Sequence, residues 1–139
     1  MRLRSPGEGR WGRSGRTARD LMLLSAKLDE FLHVDFRILV SALGMPSETI
    51  EQPYGWWKKG YSLEVQEKWA EHMFAIAMSK PFIDSVVWAD LFDYSNMDIP
   101  HSGLLTADGK PKPILNRLLK MRNRLKKPLG NLELPKRRE

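Results

Sequence analysis

Two short, nearly continuous apolar runs with an amphipathic helical pattern between them and another on either side predict an α/β fold of order α-β-α-β-α. The runs are Phe36 to Met45 and Phe82 to Leu91. Each is rich in branched apolar residues, as strands covered on both faces are. A helix between two such strands makes them a parallel pair joined by a crossover. At 139 residues the chain has room for one domain with one modest core.

The first helix is expected over about residues 18–32. Thr17 is placed to cap it, Asp20 lies near its positive end, and Leu21, Leu24, Leu28, Phe31 and Leu32 recur at helical spacing. Gly44 and Pro46 end the first strand. Residues 46–61 form a loop that carries Pro53, Gly55 and Gly60 with Tyr54, Trp56, Trp57 and Tyr61. Ser62 caps the second helix, about 63–79, whose Val65, Trp69, Met73 and Ile76 share a face, and Pro81 stops it. Trp69, Met73 and Met78 read as core. After the second strand a long loop, 92–110, leads to a helix opened by Pro113, with Ile114, Leu115, Leu118, Leu119 and Leu125 expected on its buried side. Lys110-Pro-Lys-Pro113 reads as a rigid lead-in to that helix. Two strands alone would leave outer edges open, so the unit is expected either to be a piece of a larger protein or to self-associate through its strand edges.

Charge divides the chain. Residues 1–20 carry +4, residues 21–109 carry −7 and residues 110–139 carry +9, which gives the net +6. The Gly/Arg/Ser-rich segment 1–16 reads as a disordered basic arm and 128–139 as a basic tail, with the folded unit over 17–127. Basic ends around an acidic centre are the mark of solvated tails and argue against nucleic acid, which needs a basic patch on a folded surface. The alternative function class is nonetheless a small basic, non-enzymatic binding protein for an acidic partner such as nucleic acid. Cysteine is absent, so no disulfide, thiolate metal site or cysteine nucleophile is available. No metal-ligand spacing or cofactor motif is present, so no metal and no cofactor are expected. No run of 18 apolar residues occurs, so no membrane span is expected. Arg2, Arg4 and Arg10 are followed by no apolar stretch, so no secretory signal is read and a cytoplasmic location is the expectation as the chain stands.

The stretch Ser85 to Asp93, continued by Ser102 to Pro113, is where chemistry concentrates. An apolar run ends in Trp88, Asp90 and Asp93, and an aromatic-rich loop and a proline-opened helix follow. That is how a sugar-binding (β/α) barrel strand reads, with polar groups at its C-terminal end. Such barrels need about 200 to 250 residues, so this chain holds about half of one by that measure.

Arg19-Asp-Leu, Leu28-Asp29, Val40-Ser-Ala-Leu-Gly-Met-Pro46, Trp88-Ala-Asp-Leu-Phe-Asp93, Gly103-Leu-Leu and Lys110-Pro-Lys-Pro113 occur in the order seen at the C-terminal end of family 10 glycoside hydrolases. Over residues 17–127 the chain resembles these endo-β-1,4-xylanase-like enzymes. The resemblance implies a partial (β/α)8 TIM barrel, truncated, spanning its helix 6 to helix 8, and a complete protein that hydrolyses O-glycosyl bonds in β-linked polysaccharide such as xylan.

Retaining enzymes of that kind use two carboxylates, an acid/base after strand 4 and a nucleophile at the end of strand 7. On this mapping strand 4 has no counterpart, and the nucleophile position is Ala42. The resemblance therefore implies no catalytic residue here and an inactive chain on its own. Anchored on Asp93, the tryptophan under the reactive sugar falls at Ala89. A one-residue slip restores that platform to Trp88, and the two registers put Trp88 on opposite sides of the strand.

The candidate substrate-binding residues are Trp88, Asp90, Asp93, His101, Trp56 and Trp57. Each has a functional and a plain reading. Trp88 stacks on a sugar or packs in the core, and Asp90 and Asp93 bind hydroxyls or cap the loop. His101 donates to a hydroxyl or is solvated. Trp56 and Trp57, with Tyr54, form a sugar platform or a lid over the core. Glu48 and Glu51 lie past Pro46 and are candidates for a relocated nucleophile.

Overall fold

The structure, a computed structural model, describes residues 20–49 and 60–126. Its elements run α1 (Leu21–Asp29), β1 (Ile38–Leu43), α2 (Leu63–Met78), β2 (Ile83–Trp88) and α3 (Pro113–Lys126). This is the expected α-β-α-β-α order, and β1 and β2 pair in parallel as one two-stranded sheet.

Local chemistry sets the boundaries. Asp20, rather than Thr17, caps α1. Its carboxylate accepts from the Met22 and Leu23 amides at 2.9 and 3.1 Å, satisfying amides that a first helical turn leaves without partners. Thr17 lies outside the described residues. Ser62 caps α2 as expected, its hydroxyl accepting from the Val65 amide at 3.2 Å. Pro113 opens α3, where its missing N–H costs nothing.

Val40 pairs with Val86 and Leu43 with Trp88, three residues apart on β1 against two on β2. One extra residue is therefore taken up at Ser41–Ala42, the signature of a bulge, which bends a strand and re-aims its side chains. Val40 and Leu43 of β1 pack with Leu24 and Leu28 of α1 and Trp69, Met73 and Ala77 of α2, and Val86 and Trp88 of β2 lie against the same cluster. Burying one such large side chain stabilises the fold by about 1.5–3 kcal/mol. Away from the helices, Leu39, Ser41, Ser85, Val87 and Ala89 are exposed.

Two expectations about burial are corrected. Leu119 and Leu125 of α3 are exposed and Ile114 alone is fully buried, because α3 meets α2 through its first turns and the helical pattern continues past them. Met78, at the last position of α2, is exposed, while Trp69 and Met73 are core. Lys80, just beyond α2, is buried and bonded to Asp29 at 2.5 Å, which ties the ends of α1 and α2 together.

Candidate functional site on the C-terminal ends of the strands

The loop after β1 and the loop after β2 meet where both strands end, starting from the Ala89 amide, which donates to the Leu43 carbonyl at 2.8 Å. The loops approach closely at Gly44, where a Cβ would stand 2.7 Å from the end of the Ile99 side chain, Cδ1, of the second loop. Gly103 is tighter still, with a built Cβ 2.6 Å from the backbone of Phe92 and Asp93. Two loops at this separation act as one surface.

Polar groups fill the junction. Lys112 Nζ reaches the Asp93 carboxylate at 2.6 Å, and the two side chains are only 2% and 14% exposed. The same ammonium donates to Ser47 Oγ at 3.0 Å and to the His101 carbonyl at 3.1 Å, so all three of its N–H donors have an acceptor. Asp93 accepts in addition from the Gly103 amide at 2.8 Å. The charge of Lys112 is thus paired and hydrogen-bonded, which is the condition for burying it.

The His101 carbonyl is the hub of the junction. It accepts from the Ser47 amide at 3.0 Å, Ser47 Oγ at 2.9 Å, Gln66 Nε2 at 3.3 Å and Lys112 Nζ at 3.1 Å. Gln66, fully buried on α2, also donates to the Met45 carbonyl at 2.8 Å. A carbonyl oxygen has two lone pairs, so four donors share it and it is fixed from several directions. His101 itself sits at φ 55°, a left-handed conformation that costs an L-residue free energy and persists where the surroundings over-determine it.

The candidate residues take these places. The Trp88 ring packs against the core cluster, and its indole Nε1 donates to the Ser102 carbonyl at 2.7 Å. Asp90 is held by neutral hydroxyls: one oxygen accepts from Ser102 Oγ at 3.1 Å and the other from the Tyr94 hydroxyl at 3.3 Å. Asp93 is engaged by Lys112 and Gly103, as described above. The His101 imidazole, partly exposed, faces Glu48, with Nδ1 and Oε1 3.8 Å apart. Ala42 lies half-buried at the bulge, and Ala89 is exposed at the end of β2. Trp56, Trp57, Tyr54 and Glu51 lie outside the described residues. Among the described residues no group of acidic or histidine side chains has the arrangement of a metal site. No described helix is long and apolar enough to cross a membrane.

Sequence reasoning missed Lys112, Ser47, Ser102 and Gln66. Lys112 sits inside a run that reads as a rigid lead-in to the last helix, and Gln66 lies on the apolar face of α2, where a lone polar residue was the available signal.

Several solved structures share this fold. A Bifidobacterium dentium β-glucuronidase complexed with coumarin-3-O-glucuronide matches at 19% identity and TM-score 0.62, covering 80% of this chain and 18% of its own. A Faecalibacterium prausnitzii β-glucuronidase matches at 19% identity and TM-score 0.64, covering 83% and 20%. A Ruminococcus gnavus β-glucuronidase in complex with uronic isofagomine matches at 19% identity and TM-score 0.57, covering 73% and 18%. These are glycoside hydrolases of the TIM-barrel class, and this chain spans about a fifth of their length. At such identity the likeness is one of fold. The chain has the fold of part of a (β/α)8 barrel, two parallel strands with their helices. No family model and no curated protein matches it.

Proposed function

We propose that this chain is the carbohydrate-facing C-terminal part of a glycoside hydrolase barrel resembling family 10, and that it binds β-linked sugar without hydrolysing it. In the complete protein the reaction would be hydrolysis of O-glycosyl bonds in a polysaccharide such as xylan. The observation that carries this reading is the convergence of Asp90, Asp93, Ser102 and His101 on the C-terminal ends of two parallel strands, the face on which barrel enzymes build their sites.

The absence of hydrolysis rests on Ala42. It occupies the bulge at the end of β1, where the resemblance expects a nucleophilic glutamate, and a methyl group cannot attack an anomeric carbon. The packing of Trp88 on the helix side supports the register in which Ala89 stands at the sugar platform. Among the described residues Asp90 has neutral hydroxyl donors on it, and its carboxylate keeps capacity to accept further hydrogen bonds from sugar hydroxyls. Asp93 is spoken for by Lys112 and acts on the loop.

The test is to incubate the chain with xylo-oligosaccharides and aryl β-xylosides and follow reducing ends and released aglycone. No release above buffer is expected, together with a change in tryptophan fluorescence on adding oligosaccharide. Turnover abolished by replacing Glu48 would overturn the non-hydrolytic reading. An unchanged fluorescence signal with no shift of any amide resonance would overturn the carbohydrate reading.

A further inference from the structure

We infer that His101 and Glu48 together form a hydroxyl-binding subsite that takes a single sugar hydroxyl between them. The inference rests on the carbohydrate reading above and names two further groups of that face and the chemistry they recognise.

The separation is the starting point. His101 Nδ1 and Glu48 Oε1 stand 3.8 Å apart. A direct N–H···O bond spans about 2.7–3.2 Å, so the two groups stand within ion-pair range but make no direct hydrogen bond. An oxygen about 2.8 Å from each would see them roughly 85° apart. A hydroxyl suits that wedge because it donates one hydrogen bond and accepts others. It would donate to the Glu48 carboxylate and accept from Nδ1–H of His101. A ligand carboxylate has no proton to give Glu48 and would meet its charge, so the pair selects a neutral hydroxyl.

The second observation is how firmly the histidine backbone is held while its ring is left in solvent. Four donors fix the His101 carbonyl, two of them from Ser47, which immediately precedes Glu48. The side chains of His101 and Glu48 are nonetheless 44% and 63% exposed. The hub therefore sets the spacing of the backbones that carry the two groups. The strained φ of 55° turns His101 at the point where the two loops meet.

The test uses the full chain and xylotetraose, with affinity read from amide shifts in a titration. His101→Gly is the informative variant, because glycine adopts a positive φ freely and the hub, made by the backbone carbonyl, survives. It is expected to keep or raise the melting temperature and to weaken xylotetraose binding at least tenfold. Glu48→Ala is expected to do the same to affinity. Because one hydroxyl is shared, the double variant should bind no more weakly than the worse single variant, which is the signature of a coupled pair. Equal affinity of His101→Gly and the wild type would mean that the wedge holds water only and would overturn the inference, while the carbohydrate reading stood. Losses that multiply in the double variant would overturn the shared hydroxyl. A wild type that binds no xylotetraose would overturn the carbohydrate reading and the subsite with it.

Discussion

Each end of the two strands carries an ion pair, and the two pairs are built in opposite ways. At the N-terminal end Arg37 and Asp84 stand 3.1 Å apart with side chains 67% and 61% exposed. At the C-terminal end Lys112 and Asp93 stand 2.6 Å apart at 2% and 14%. The first pair sits in high dielectric and is screened by salt, so it ties the segments loosely. The second is withdrawn from water and anchored by Ser47, His101 and Gly103, so losing one member strands a charge. The difference teaches where order is concentrated. The end on which barrel enzymes bind substrate has tightly packed loops and a buried, multiply bonded charge network, and the other end has the solvated Arg37–Asp84 pair and the half-covered Lys80–Asp29 pair.

The largest effect should come from breaking the buried pair. Lys112→Met is expected to destabilise the chain by about 3–5 kcal/mol in urea unfolding, because Asp93 is left charged and unpaired. Adding Asp93→Asn should recover part of that loss, since the amide oxygen still accepts from Gly103 and no charge remains. A neutral Lys112→Met would erase the contrast between the two ends. Next comes Gly103→Ala, which forces backbone apart and should cost about 1–3 kcal/mol. Arg37→Ala should cost less than about 1 kcal/mol and become milder still in high salt.

The smallest effect concerns an exposed helical pair on α2. The Lys68 hydrogen bond and charge hold the Glu64 carboxyl below the usual carboxylate range. Because the folded value is the lower one, the pair's contribution is present above the unfolded value, near pH 4.3, and is lost as the pH falls through the folded value. Lys68→Met should return Glu64 to the ordinary range in an NMR pH titration. An unmoved Glu64 would show that the pair is not made in solution.

What the sequence makes legible follows from the reach of each interaction. Ser62, Pro81 and Pro113 act within a turn of chain, so the limits of α2 and the start of α3 can be read directly. The two apolar runs announce their strands, though β1 and β2 are shorter than the runs because pairing ends where the chain leaves the ladder. Asp20, read from sequence only as lying near the positive end of α1, is its cap, a local choice that composition alone does not decide. The candidate site was half legible. Trp88, Asp90, Asp93 and His101 announce themselves by type and position. The hub does not, because its centre is a backbone carbonyl, which every residue has, and its cation sits in a proline-flanked run that reads as a helix lead-in.

The central claim is that the C-terminal ends of the strands form the carbohydrate-facing end of this chain. A map of amide shifts on titrating the full chain with xylotetraose tests it most directly. The account predicts the largest shifts at residues 44–48, 88–93 and 101–103, with residues 34–37 and 80–84 nearly still. Shifts centred on the Arg37–Asp84 end or on α3, or no shifts at all, would contradict it.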